Sequence, residues 1–285
     1  MPELPRPMFG ISVTPNAADY DRIVEQVLAA DRSGLHVVGI QDHPYQRRYL
    51  DTYALLADLL ARTEKLHFFA DVTSLPMRPA PMIAKAAASL DVMSGGRFEV
   101  GLGGGGFWEA VGGMGGAVRE RGERLPALEE AVDVIRQALD VGPERGVVRN
   151  DGQYYPVRYP PGPPTKHRVE IWIGADAPGA LRLIGRKADG WVPGGGISNA
   201  ANFPAQNARI NDAAEAAGRD PKQVRRIANV WGMGLGDRNQ AIDTLSALLT
   251  DGGMDGVVYW TDEGAPDVEQ FANEIVPALG AGGDT

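Results

Sequence analysis

The fold is decided by the stretch LDVMSGGRFEVGLG, residues 90–103. Its first four residues end a segment of helical period, and Gly95 and Gly96 supply a turn. An apolar run from Phe98 to Leu102 follows, with the composition of a short buried strand. A helix that returns through a tight turn into such a strand is the building block of parallel α/β proteins.

The same unit recurs on both sides of this stretch. The predicted strands are Phe9–Val13, Val37–Ile40, Leu66–Ala70, Phe98–Leu102, Ile171–Gly174, Gly190–Val192, Ile227–Met233 and Gly256–Trp260. A helix is predicted after each of them, at Asp19–Arg32, Thr52–Arg62, Ala80–Met93, Leu125–Leu139, Ala180–Ala188, Phe203–Ala217, Gln240–Leu249 and Val268–Leu279. Eight strands, each followed by a helix, predict one α/β domain over residues 1–285, a single (β/α)₈ TIM barrel.

The stretch from Gly103 to Arg168 is irregular and predicts a long insertion after strand 4. It holds glycine-rich and proline-rich pieces around one good helix, with a hairpin expected between Val147–Arg149 and Gln153–Tyr155. Segments of this kind usually cover or shape the mouth of a barrel's active site.

Composition excludes several classes of protein. The 285 residues include no cysteine, so disulfides, thiolate metal sites and cysteine nucleophiles are excluded. The net charge of −9 is spread along the chain without a basic stripe, and no nucleic-acid partner is expected. No apolar run is long enough for a membrane span and prolines interrupt Met1–Phe9, so we expect a cytoplasmic protein.

No metal site is expected either. The chain has four histidines, and none of them pairs with another at the i, i+4 spacing of a helical metal site.

The first candidate site is Gln41-Asp42-His43-Pro44, directly after the second predicted strand. Active sites of β/α barrels are built from the loops that follow the strands. An acid and a histidine at such a place can bind, orient or protonate a substrate. The alternative is that Asp42 caps a turn and His43 is an ordinary loop residue.

The second candidate is the glycine run Gly103-Gly104-Gly105-Gly106. With Gly101 it matches the G-x-G-x-x-G dinucleotide fingerprint formally, but neither the immediate helix nor the later acidic residue of that fingerprint follows. Close approach of the main chain to a flat ring or a phosphate is therefore expected, with a merely flexible loop as the alternative.

The third candidate is Gly174-Ala175-Asp176-Ala177, small residues at the start of a predicted helix. Free N–H groups and the helix dipole at such a place favour an anion. The charge of Asp176 counts against a phosphate directly beside it, so this side chain is expected to turn outward or to cap the helix.

Taken together, these segments resemble the luciferase-like monooxygenase superfamily, and especially its branch that uses the deazaflavin coenzyme F420. The resemblance covers nearly the whole chain, and residues 90–103 are its most specific part. The other segments that carry it are Ile40–Pro44, Val72–Lys85 and Arg182–Trp191.

The resemblance implies roles for named residues. Asp42 and His43 would lie against the deazaflavin ring, with His43 assisting proton movement. A non-proline cis peptide is implied at Asp71–Val72, with Val72 pressing on the ring's centre and Thr73 beside it. The two small-residue segments, 103–106 and 174–177, would bind the cofactor's chain and phosphate.

One feature departs from the family's sugar-phosphate dehydrogenases, which have a glutamate proton donor at the position aligned with Gly106. Glu109 could take that role only in a rearranged loop. A sugar phosphate would also need a cluster of Lys and Arg at the mouth, and none is found. The sugar-phosphate activity is therefore disfavoured.

The resulting expectation is an F420-dependent oxidoreductase that moves a hydride between the deazaflavin and a small organic molecule, with Tyr45, Phe107 and Trp108 as an apolar wall. The alternative is an FMN-dependent monooxygenase that uses reduced flavin and oxygen. A flavin-binding protein with little catalysis is a third possibility, and an aldolase-like barrel lacks a strand-end lysine.

By analogy with relatives, a homodimer is expected through the helices that flank the second and third units, one of which is the helix over 52–62. Its apolar positions would allow such a contact, although they would pack equally well on the barrel: Tyr53, Leu56, Leu59 and Leu60.

Overall fold

A computed structural model describes residues 4–140, 146–231, 237–261 and 264–280. The strands are β1 Met8–Val13, β2 Val37–Ile40, β3 His67–Ala70, β4 Thr73–Ser74, β5 Phe98–Gly103, β6 Val148–Asn150, β7 Val157–Tyr159, β8 Ile171–Gly174, β9 Gly190–Trp191, β10 Arg225–Val230 and β11 Gly256–Trp260. The α-helices are α1 Tyr20–Arg32, α2 Thr52–Arg62, α3 Ala80–Ser94, α4 Trp108–Gly113, α5 Arg124–Asp140, α6 Pro178–Lys187, α7 Phe203–Ala216, α8 Arg238–Thr250, α9 Ala265–Gln270 and α10 Val276–Gly280.

Eight parallel strands close into a barrel in the order β3-β2-β1-β11-β10-β9-β8-β5, and pairing of β3 with β5 completes the ring. The predicted (β/α)₈ TIM barrel is therefore confirmed. The short strand β4 follows β3 after residues 71 and 72 and pairs with the end of β5. This interruption places residues 71 and 72 at the carboxyl end of the barrel.

The strands divide their apolar side chains between two cores. Phe68 packs outward with the helices, whereas the next residue, Phe69, points into the barrel. Inside the barrel Phe69 meets Trp172, with their ring centroids 4.9 Å apart and their ring planes at 67°. This alternation follows from the two-residue period of a strand, and it explains why the parallel strands appear as almost continuous apolar runs.

Between β5 and β8 the chain forms α4, α5 and the antiparallel hairpin of β6 and β7. The predicted return strand of this hairpin, Gln153–Tyr155, is wrong, because β7 begins at Val157. The carboxylate of Glu130 accepts the main-chain N–H groups of Tyr154 and Tyr155, which holds these residues in the turn. The predicted strand Ile227–Met233 begins two residues earlier, at Arg225, and its last two residues lie outside the described residues.

The apolar face of α2 is used within the chain. Leu56 and Leu59 are fully buried and Leu60 is nearly so, packed in the outer core. These leucines are therefore not free to form the dimer contact that the sequence allowed. Across the described ranges, none of the helices is long and apolar enough to span a bilayer.

Candidate active site

A cavity of about 690 Å³ opens at the carboxyl ends of the barrel strands. Its lining comes from the ends of strands all around the barrel, and includes Thr14, His43, Val72, Asp176, Trp231 and Trp260. A smaller cavity of about 170 Å³ lies beside it, between the loop after β2 and the glycine run. His43, Val72 and Gly174 border both cavities, so the two form neighbouring parts of one site.

Val72 projects into the wall between the two cavities. The peptide bond between Asp71 and Val72 is cis, as the family resemblance implied. A Cβ atom added at Gly103 or at Gly174 would lie 2.8 Å from Cγ2 of Val72. These two glycines therefore make room for the valine side chain, a local reason that the sequence did not reveal.

The other glycines of the run have different surroundings. Gly105 has a φ of +100°, and a Cβ atom there would lie 2.4 Å from Cγ of Pro76. Gly106 has nothing within 4 Å of such an atom, and Gly104 has only Leu128 at 3.7 Å. Positions 104 and 106 thus face open space where a ligand could lie against the main chain.

Asp42 and His43 are adjacent in sequence but point to different surroundings. The side chain of Asp42 is 1% exposed and makes an ion pair with Arg78. Its carboxylate also accepts the main-chain N–H of Ser74 at 3.0 Å. Asp42 borders only the smaller cavity. Because Arg78 and Ser74 hold its carboxylate, Asp42 anchors the loop that carries His43. Arg78 was not identified from the sequence.

His43 forms a polar and aromatic cluster with two neighbours. Its Nδ1 lies 2.6 Å from the hydroxyl of Tyr45, and its ring meets the edge of Phe107 with centroids 5.5 Å apart. Burial lowers the pKa of His43, against the opposing effect of the Asp42 charge. Burial also raises the pKa of Tyr45 to about 12. At neutral pH the imidazole is therefore neutral and the phenol keeps its proton.

Of the residues predicted to form the apolar wall and the proton donor, only some lie together at the site. Phe107 is 64% exposed and contacts both His43 and Tyr45. Trp108 instead lies under the guanidinium of Arg124, 4.2 Å from its ring centroid. Glu109 is exposed and borders neither cavity, because α4 begins at Trp108 and carries it away.

Asp71 was predicted at the site because of the cis peptide bond between it and Val72. In the structure its side chain also places a buried carboxylate there. It is 7% exposed and borders the large cavity. Ser12 donates to its carboxylate at 2.9 Å, and Nδ2 of Asn229 donates at 2.9 Å and 3.1 Å. The indole N–H of Trp260 in turn donates to Oδ1 of Asn229. Burial raises the pKa of Asp71 to about 6, against the opposing effect of these hydrogen bonds.

Thr73 borders the smaller cavity, and its hydroxyl lies 2.9 Å from that of Tyr53. Thr73 is fully buried, and its contact with Tyr53 ties α2 to the cavity wall.

The loop after β8 supplies Gly174, Ala175 and Asp176 to the large cavity. Ala177, the remaining predicted residue of this segment, is the exposed N-cap of α6 and does not line the cavity. Asp176 does not cap this helix; its side chain is exposed, lies against Gly194 and comes within 3.4 Å of Asn199 and Gln206. Partial burial of its carboxylate raises the pKa of Asp176.

A second polar cluster lies at the opposite end of the barrel. Oε1 of Glu99 lies 3.2 Å from Nδ1 of His67 and 2.9 Å from Nε2 of His167. Nδ1 of His167 contacts Asp91, so both of its nitrogens have carboxylate partners. Burial opposes the charge on His167, but Asp91 and Glu99 raise its pKa to about 10. Sequence spacing gave no sign of this cluster, which ties residues 166–170 to the barrel.

Comparisons with known proteins agree with this architecture. The chain is 31% identical over 222 residues to an F420-dependent glucose-6-phosphate dehydrogenase of Nakamurella multipartita, a match covering 74% of this chain and 63% of that protein. The chain spans about three fifths of the length of the first curated relatives it matches.

Two solved structures share the fold at 19% identity. They are an F420-dependent tetrahydromethanopterin reductase from Methanopyrus kandleri (TM-score 0.76, covering 95% of this chain and 99% of that chain) and a monooxygenase from Streptomyces bottropensis (TM-score 0.75, 95% and 99%). Residues 8–271 match the luciferase-like monooxygenase family, which is nearly the whole chain. The protein therefore belongs to the luciferase-like monooxygenase family.

Proposed function

We propose that this protein is an F420-dependent oxidoreductase that transfers a hydride between the deazaflavin and a small organic substrate. The observation that carries the proposal is the large cavity, with Val72 on one wall and His43 beside it. The relative from Nakamurella multipartita, named as an F420-dependent dehydrogenase, supports the same choice of cofactor.

The residues present fit a deazaflavin. The large cavity is within the usual size range of small-molecule sites, and its wall at Val72 offers an apolar surface to a flat ring. The chain of the cofactor would follow the smaller cavity, where Gly104 and Gly106 leave the main chain open. Neither cavity is lined by a described Lys or Arg, so main-chain N–H groups would be the donors to its phosphate.

Bound deazaflavin would supply the hydride chemistry, and the protein would orient the substrate and move a proton. The Tyr45 hydroxyl can donate to Nδ1 of His43, which leaves the imidazole proton on Nε2 for the substrate. Asp42 acts through the loop, since Arg78 and Ser74 hold its carboxylate. We assign His43 as the catalytic residue and Asp42 as a positioning residue.

Two features argue against a sugar phosphate as the substrate. Gly106 stands where the family's sugar-phosphate dehydrogenases have their glutamate, and Glu109 is turned away from both cavities. The described lining also lacks the cations that would pair with a phosphate dianion. A substrate without a phosphate group agrees better with this site.

The experiment that tests the proposal compares two reactions of the purified protein. Reduced F420 is mixed without oxygen with a panel of small ketones, aldehydes and imines, and its reoxidation is followed by absorbance. In parallel, oxygen uptake is measured with reduced FMN and the same compounds. Substrate-dependent reoxidation of F420 is expected. If oxygen uptake with reduced FMN depends on one of these compounds and F420 is not reoxidised, the result would instead support the FMN-dependent monooxygenase.

A further inference from the structure

The large cavity carries an excess of negative charge. Its described lining includes two carboxylates, Asp71 and Asp176, and no Lys or Arg. His43 also borders the cavity, but burial lowers its pKa and keeps it neutral at neutral pH. Of the two carboxylates Asp71 is buried and Asp176 is exposed, and uncompensated negative charge favours a cation in the same space.

Asp71 is the better placed of the two carboxylates to meet a cation. Its hydrogen-bond donors, the Ser12 hydroxyl and the Asn229 amide, are both neutral. They stabilise an ionised carboxylate without cancelling its charge. Because Asp71 is buried, water and salt screen its charge much less than they screen the charges of surface carboxylates. A cation entering the cavity would therefore gain a strong electrostatic partner.

The aromatic rings of the cavity complement this charge. Trp231 and Trp260 both line it and meet edge to face, with ring centroids 5.9 Å apart. Tyr49 adds a third ring. The faces of such rings attract cations, and attract quaternary or protonated nitrogen in particular. Aromatic walls around a buried carboxylate thus recognise an organic ammonium or iminium group.

We propose that the substrate of this enzyme carries a positively charged nitrogen, as an iminium ion in the oxidised form and an amine in the reduced form. This proposal rests on the proposed function. A hydride and its electron pair form the new C–H bond at the iminium carbon, and the π pair of the C=N bond moves to nitrogen. The coenzyme is oxidised, and the proton that it also releases leaves on the amine as ammonium, so that charge and atoms balance.

The ionisation of Asp71 agrees with this assignment. Its pKa is raised to about 6, so the carboxylate is mostly charged at neutral pH. Its affinity for a cation should therefore fall as the pH falls through about 6. Three other titratable groups face the cavity, and the test must separate them: His43, Tyr49 and Asp176.

The test measures binding of a probe that cannot react. Tetramethylammonium and its neutral analogue tert-butyl alcohol are titrated calorimetrically into the protein in the presence of added F420. We expect the cation to bind at least about tenfold more tightly, and Asp71→Asn to weaken it by about tenfold or more. The control is Asp243→Asn, the same change on the exposed face of α8, which should alter binding by less than about twofold.

A second measurement avoids dependence on the folding of the Asp71 variant. Tetramethylammonium does not titrate, so its affinity for the native protein, and for each of His43→Gln, Tyr49→Phe and Asp176→Asn, should drop between pH 7.5 and pH 5. Affinity that is unchanged across this range would overturn the proposal.

The outcomes separate this proposal from the function on which it rests, because F420 binding is measured on the same samples by fluorescence. If F420 binds and the cation binds no better than the alcohol, the substrate class is wrong and the proposed function stands. If the cation binds through Asp71 while F420 does not bind, the cation site stands and the proposed function is wrong.

Discussion

Arg78 clamps the carboxylate of Asp42 behind the loop that carries His43, with Nε 3.2 Å from Oδ2 and Nη2 3.3 Å from Oδ1. The same guanidinium reaches Asp51, the N-cap of α2, at 2.6 Å and lies over the ring of Tyr53 at 4.5 Å. One cation therefore ties the loop after β2 to the start of the following helix.

Replacing Arg78 by Met should destabilise the protein and loosen the site. The change leaves Asp42 buried without its cation, and we expect a loss of about 2 kcal/mol in the free energy of unfolding. The loss is smaller than the roughly 3–5 kcal/mol of a fully buried pair because Arg78 is 23% exposed. Urea unfolding measures it. In the control Arg62→Met, which breaks an exposed pair with Asp58, a loss above about 1 kcal/mol would contradict this explanation.

Replacing His43 by Ala should reduce turnover while the cofactor still binds. Loss of a positioned Nε2–H group that hydrogen-bonds to the reacting atoms in the transition state is expected to lower kcat by about 100- to 1,000-fold. Tyr45→Phe keeps the imidazole and removes only its hydrogen-bond partner, so a loss of about tenfold or less is expected. Stopped-flow oxidation of reduced F420 measures both. Unchanged turnover in His43→Ala, with the cofactor still bound, would contradict the assignment of His43 as the catalytic residue.

The two ends of the glycine run should respond differently to alanine. At Gly103 the new Cβ would lie 2.8 Å from Val72, so Gly103→Ala should cost about 1–3 kcal/mol of stability. At Gly106 the space is open, and Gly106→Ala should change stability by less than about 0.5 kcal/mol. Thermal unfolding of the two variants compares them directly. Equal stability of the two variants would show that Val72 does not require a glycine at position 103.

The cluster at the amino end of the barrel predicts a pH effect. The folded-state pKa of His167 is raised from 6.5 to about 10, so its contribution is fully present below 6.5 and is lost as the pH rises through about 10. Between pH 7 and 10.5 the native protein should lose on the order of 2–4 kcal/mol more stability than His167→Gln. Urea unfolding at both pH values measures the difference. Parallel losses in the two proteins would mean that the carboxylates do not stabilise the charged imidazole.

The barrel could be predicted because its signal is local. Phe68 and Phe69 alternate between the two cores, and a strand covered on both sides is an apolar run that stands out in the sequence. The start of β10 was missed for the opposite reason. Arg225 and Arg226 are buried there because they reach main-chain carbonyl groups, including those of Leu4 and Val224. Two consecutive arginines do not have the apolar pattern of a buried strand, so the sequence did not indicate that the strand begins at Arg225.

The candidate site was predicted only where its residues are neighbours in sequence. His43 follows a strand in a titratable motif, and it borders both cavities. Asp71 meets Ser12 and Asn229 across 59 and 158 residues, and no local pattern announces such contacts. The rule that active sites follow the strands could have drawn attention to Trp231 and Trp260, which directly follow or end the last two strands.

The most direct test of the central claim is a parallel fluorescence titration of the native protein and Gly104→Phe with F420 and with FMN. Position 104 borders the smaller cavity and has room for a side chain, so a bulky ring there should block the cofactor without upsetting the fold. We predict that F420 binds at least about tenfold more tightly than FMN and that Gly104→Phe weakens F420 by about tenfold or more. Tighter binding of FMN, or binding of neither compound, would contradict the assignment of this site to a deazaflavin.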